Sequence, residues 1–193
     1  EWVLLSAHID GHHLSESAMD NGTGLAAVLN ALRAVLPFAD TFERGLRIGF
    51  FTVEEWALAG SAAYVDNISD AARESIKLNI NLDSVAGDPE VTALTSGFEK
   101  AETWMIGQAA GIGQTLGAHR PLMQNSDHYN FARHGIPAAR LVAGFNKPNS
   151  NLKYVLTSAD NRDKIDAVDM AHVTQLTARL VLAACNAKTL DLR

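Results

Sequence analysis

Four short segments carry the residues with the greatest capacity for chemistry. "SAHID" presents His8 and Asp10, "MDNG" presents Asp20, "TVEEW" presents the adjacent pair Glu54 and Glu55, and "NLDS" presents Asp83. Each has an ordinary use by itself. Asp20 can cap a helix, Asp83 can form an Asx-type turn, His8 can pack in a core, and paired glutamates usually sit on a solvated surface. Together they share one setting, the ends of apolar runs that read as strands or the start of a helix. Neighbouring carboxylates at the end of a buried strand repel one another and resist ionisation. A bound dication offsets both effects. One imidazole with several carboxylates and no thiolate set suits zinc. A bridging carboxylate such as Asp20 would hold two zinc ions about 3.5–4 Å apart, the spacing of two-metal hydrolysis. On an extended segment, adjacent side chains point to opposite faces. One glutamate would then ligate metal while its neighbour takes a proton from water.

The elements that position these groups follow from periodicity. "WVLLSAH" is an apolar run that fits a strand buried on both faces, and "LRIGFFTV" (46–53) reads as a second. "IKLNINLD" (76–83) is a third strand with alternating character, "EVTALTS" a fourth, with shorter strands near 114–118 and in "PAARLV". Between them, Leu25, Val28, Leu29, Leu32 and Val35 recur at helical spacing up to Pro37. Further helices are expected over 60–68, 101–111 and 166–187, with a capped helical turn in "SDHYNFARHG". Strands alternating with helices predict a three-layer α/β/α sandwich around a mixed, mainly parallel sheet. In such a sheet, ligands bind outside the carboxyl ends of the strands. The four charged segments fall at that edge.

The 193 residues are expected to form a single domain, 1–193, and the opening strand suggests a missing upstream segment. With 47% hydrophobic and 20% charged residues, disorder is excluded. A net charge of −6 argues against nucleic acid as a partner, and no uninterrupted apolar run is long enough to span a bilayer. A lone Cys185 rules out an internal disulfide and reads as a small buried thiol.

The succession H-x-D, D-N-G, E-E-x-x-L-x-G-S and N-L-D-S, followed by "SDHYNFARHGIPAARLV" and "TSADNRDKID", resembles the co-catalytic zinc exopeptidases of metallopeptidase family twenty-eight. Bacterial leucyl aminopeptidases and plasma glutamate carboxypeptidase belong to that family. The match covers nearly the whole chain. The resemblance implies an aminopeptidase acting on peptide or aminoacyl substrates with two zinc ions. It assigns His8 and Asp83 to one zinc, Asp20 to the bridge and Glu55 to the second zinc. Glu54 would be the general base of metal-activated hydrolysis, and Asp10 would orient His8 from behind. It also implies a cis peptide after Asp20, and an exported or periplasmic protein.

One position departs from the pattern. The family's second zinc takes a histidine from a late H-T-x-x-D segment, but here "VLTSAD" places Leu156 at that position and Val155 before it. Three readings remain open. His12, His13 or His128 would complete the second site, or a single zinc would be held by His8, Asp20 and Asp83 with altered, glutaminyl-cyclase-like chemistry, or the domain would be a silent binding module. Tyr154 and Trp56 are further candidates for the cleft, while Arg133, His134 and Arg140 read as exposed.

Overall fold

The computed structural model describes residues 1–193. Six strands form one sheet: β1 Trp2–His8, β2 Gly45–Phe51, β3 Ile76–Leu82, β4 Val91–Leu94, β5 Gly117–His119 and β6 Ala138–Ala143. Their order is β2-β1-β3-β6-β4-β5. All neighbouring pairs are parallel except β4, which runs antiparallel to β6. The helices are α1 Gly24–Val35, α2 Ala59–Asn67, α3 Asp70–Ser75, α4 Glu99–Ala110, α5 His128–Ala132 and α6 Ala167–Asn186. The mixed, mainly parallel sheet between helical layers is the expected architecture.

Alternation along the central strands builds two different faces. Val3, Leu5 and Ala7 of β1, with Leu78, Ile80 and Leu82 of β3, pack against α1 and α6 in a core of 26 buried residues that includes Cys185. The opposite face begins as a smaller core, where Leu4, Ile76 and Ala138 meet Val65 of α2 and Phe131 of α5. Towards the carboxyl ends this face turns polar. Ser6 and His8 continue β1, and Asn79, Asn81 and Asp83 continue β3, all of them buried. Asn79 Nδ2 donates to Ser6 Oγ (2.8 Å), Ser6 Oγ donates to Asn81 Oδ1 (2.9 Å), and Asn81 Nδ2 donates to Ser126 Oγ (2.8 Å). These hydrogen bonds make the buried amides and hydroxyls tolerable, although Asn79 Oδ1 has no partner. The alternating character of "KLNINLD" therefore marks a polar track inside the protein.

Two elements differ from expectation. β2 lies at the sheet edge, so its residues are mostly half-buried and Phe50 is exposed. It ends at Phe51 because Val53, at φ 59°, turns the chain. The six-residue α3 was not legible from apolar spacing, since none of its residues is buried. The stretch Ala18–Thr41 has the length and hydropathy to cross a membrane. Asp20 and Asn21 interrupt it, however, and α1 contributes twelve residues, fewer than a bilayer span requires.

Candidate active site

His8 is the last residue of β1 and is fully buried. Its Nδ1 lies 3.1 Å from the backbone carbonyl of Asp10. A carbonyl can only accept, so Nδ1 carries the proton and Nε2 faces the carboxylates. Nε2 stands 3.0 Å from Asp20 Oδ1 and 3.7 Å from Asp83 Oδ1. Burial opposes charge on His8, yet the facing carboxylates of Asp20 and Asp83 push its pKa up to about 12. Two buried carboxylates facing one ring nitrogen form a setting whose repulsion and desolvation a dication would offset. One donor atom from each of His8, Asp20 and Asp83 lies within 4.8 Å of the others. Imidazole and carboxylate oxygens at that separation fit a zinc ion, with the outer ring nitrogen already fixed by its hydrogen bond.

The segment that delivers Asp20 is held from three sides. Asp160 is buried, and its carboxylate accepts the backbone N–H of Met19 (2.7 Å) and of Asp20 (3.0 Å). The Asp20–Asn21 peptide is cis, as the resemblance implied. Asn21 Nδ2 donates to the Leu82 carbonyl (2.9 Å), and its Oδ1 accepts from Gly24 N–H (3.0 Å). A Cβ at Gly24 would lie 2.4 Å from the Leu82 carbonyl oxygen and 2.2 Å from Asn21 Oδ1. Only glycine allows this approach of α1 to the end of β3.

Asp10 stands behind His8 and meets it chiefly through its backbone. The closest atom it offers His8 is its carbonyl, with its carboxylate at 3.5 Å. That carboxylate accepts the backbone N–H groups of Glu54 (3.2 Å) and Glu55 (3.3 Å), tying the glutamate loop to β1. The loop is a turn, with Val53, Ala57 and Leu58 all at positive φ. Both glutamates consequently line the same cleft, and the expected division between two faces does not occur. The cleft encloses about 370 Å³ and is also lined by Asp20, Asp83, Arg140, Leu58, Val155 and Leu156. Burial and the carboxylate of Asp83 push Glu54 up to about 8. Burial and Asp20 raise Glu55 to about 7. Glu55 stands outside the group of His8, Asp20 and Asp83.

Arg140 is the residue whose place the sequence misjudged. It is buried on β6, with Nη2 3.2 Å from Asp83 Oδ1. Against burial, Arg140 and His8 hold the Asp83 carboxyl below its ordinary range. The available signal was its position inside the apolar strand "PAARLV", since an arginine in a buried strand requires an anion. Arg133 and His134, in contrast, both pair with Asp66. None of His12, His13 and His128 lines the cleft. His12 lies in a neighbouring depression and stacks on His13. His128 is fully buried with neither ring nitrogen hydrogen-bonded, and burial, then Arg140, lower its pKa to about 3. Trp56 is 77% exposed on the glutamate loop.

Residues 1–181 match the sequence profile of peptidase family M28. The chain belongs to that family. Among its relatives, leucine aminopeptidase 2 of Trichophyton equinum is 27% identical over 154 residues, covering 74% of this chain and 30% of the relative. Aminopeptidase YwaD of Bacillus subtilis is 28% identical over 153 residues, covering 74% and 32%. The solved structure of a zinc aminopeptidase from Bacillus subtilis superposes with a TM-score of 0.84 at 25% identity, covering 97% of this chain and 47% of that one. The chain thus spans about a third of the length of these curated relatives.

Within this M28 chain, Asp160 offers a direct test of how the Asp20 segment is held. Asp160→Ala strands two buried backbone N–H groups, each costing about 1–3 kcal/mol. It is expected to destabilise the chelated protein by about 2 kcal/mol or more and to weaken zinc binding roughly 10–100-fold. Urea unfolding and zinc titration measure the two effects, and unchanged zinc affinity would show that Asp20 needs no such support.

Proposed function

We propose that the chain is the catalytic domain of a zinc-dependent aminopeptidase that removes the N-terminal residue of a peptide. The observation that carries this reading is a cleft lined by Asp20, Asp83 and Glu54, with His8 buried directly behind the two aspartates and its donor nitrogen turned towards them. The family membership and the aminopeptidase relatives support it.

A zinc ion held by His8, Asp20 and Asp83 would supply Lewis-acid polarisation of the scissile carbonyl and lower the pKa of water. The chain's own groups do the rest. Glu54, half-buried in the cleft lining and raised to about 8, takes a proton from the attacking water and returns it to the departing amine. Arg140 pins Asp83, and the Asp10 carbonyl orients His8, so both present fixed donors. The Asp10 carboxylate holds the backbone of the glutamate loop and thereby places Glu54.

The test is hydrolysis of leucine p-nitroanilide. Activity is expected to disappear on dialysis against a chelator, with the fold retained, and to return with zinc. Full activity in the folded, chelated chain would refute the reading.

A further inference from the structure

The cleft carries more negative charge than a single dication answers. Asp20, Glu54, Glu55 and Asp83 contribute four carboxylates to its lining, and Arg140 is its one cationic side chain. With all four ionised, the state that a bound dication favours, the dication and Arg140 together leave one negative charge unmatched.

The chain does not furnish a complete second metal position to take up that charge. His8, Asp20 and Asp83 form the one group of three donor side chains close enough to share an ion. Glu55 lies outside it, and its Oε1 is buried with no hydrogen-bond partner. The side chain that would have to complete a second position is Leu156, which is 52% exposed, held at φ 64°, and cannot ligate an ion. No histidine lines this cleft to replace it. The donor set therefore fits one zinc and does not fit two.

An unpaired carboxylate beside an apolar wall describes a receptor for a primary ammonium attached to an apolar group. Ala57, Leu58, Val155 and Leu156 supply the wall. We propose that this cleft holds one dication, and that Glu55 receives the α-ammonium of the substrate while its first side chain rests against Leu156 and its neighbours. The proposal rests on the aminopeptidase reading above and gives Glu55, in place of a second ion, the task of holding the substrate's amino terminus. The ammonium supplies the positive charge that a second ion would otherwise bring, and an N-blocked peptide leaves Glu55 uncompensated.

Two calorimetric titrations test it on the full chain. In the first, chelated protein is titrated with zinc, and one ion per chain is expected for both the natural protein and Glu55→Gln. In the second, zinc-loaded protein is titrated with L-leucinol, a non-hydrolysable amine, and with N-acetyl-leucinol. Leucinol is expected to bind Glu55→Gln roughly tenfold or more weakly than the natural chain, the loss of one charge-assisted hydrogen bond. N-acetyl-leucinol is expected to bind both proteins equally weakly. Two zinc ions in the natural chain, falling to one in Glu55→Gln, would overturn the proposal by making Glu55 a metal ligand. Equal leucinol affinity in the two proteins would overturn it as well. No zinc in a folded chain would instead remove the aminopeptidase reading on which it rests.

Discussion

Replacing Glu54 with glutamine is expected to lower kcat about 10²–10⁴-fold while leaving the zinc content and the fold unchanged. That range is the usual contribution of a positioned general base. Glutamine keeps the shape of the side chain and fills the same space, but it cannot accept a proton. Glu54 is not one of the three residues whose donor atoms converge within 4.8 Å, so its amide leaves the metal position intact. The loss should fall on kcat rather than KM, because the proton moves only in the reaction itself. The pH profile separates this role from a structural one. Burial first, then the charge of Asp83, raise Glu54 from its ordinary value near 4.5 to about 8. The carboxylate form needed for catalysis is populated only above the raised value, so activity should climb with pH along an acid limb. A dication beside Glu54 draws its pKa back down, which places that limb between 4.5 and about 8. In Glu54→Gln the limb should vanish along with the rate. A variant with full kcat, or one whose residual activity keeps the same limb, would remove Glu54 from the mechanism.

The sequence was legible where burial dictates periodicity and opaque where tertiary contacts decide. β1, β3, α1 and α6 carry runs that only a buried strand or a one-sided helix would use, and each formed within two residues of the expected bounds. His8, Asp20 and Asp83 were legible because a charged residue at the end of a buried strand, or at the turn into a helix, needs a reason. The glutamate pair was half legible. Its place after β2 was correct, but the alternation rule failed because Val53 leaves the extended region before Glu54 is reached. Arg140 was misread because a single sequence shows a cation without its partner; the partner, Asp83, is 57 residues away along the chain and adjacent across the fold. Asp160 lies 140 residues from Asp20, and no periodicity records that its carboxylate will meet two backbone N–H groups there. Leu156 shows the converse. Its departure from the family pattern was visible in the sequence, while its meaning depends on where Glu55 and the apolar wall stand in three dimensions.

Asp83→Ala is expected to abolish zinc binding and, in the chelated protein, to destabilise the fold by about 3–5 kcal/mol. The magnitude follows from breaking a buried ion pair by removing one partner. Asp83 is 2% exposed, and it is the carboxylate shared by Arg140 at 3.2 Å and His8 at 3.7 Å. Arg140, 9% exposed in the natural chain, loses its counter-charge when alanine takes the place of Asp83. The pH dependence gives this cost a signature. Burial works against ionisation of Asp83, but Arg140 and His8 overcome it and hold the carboxyl below its ordinary value of 3.8. A depressed carboxyl contributes stability that is fully present above the unfolded value and is lost as pH falls through the folded one. The gap between natural and variant proteins should therefore be constant at neutral pH and narrow only below about pH 4. Asp83→Asn, which preserves volume and one oxygen acceptor, should recover part of the stability but none of the tight zinc binding. Urea unfolding in chelator across pH 3–8, with zinc titration of each variant, measures both quantities. A loss under about 1 kcal/mol would mean that Arg140 finds another anion. Zinc bound as tightly as in the natural chain would mean that the ion does not sit between His8 and Asp83.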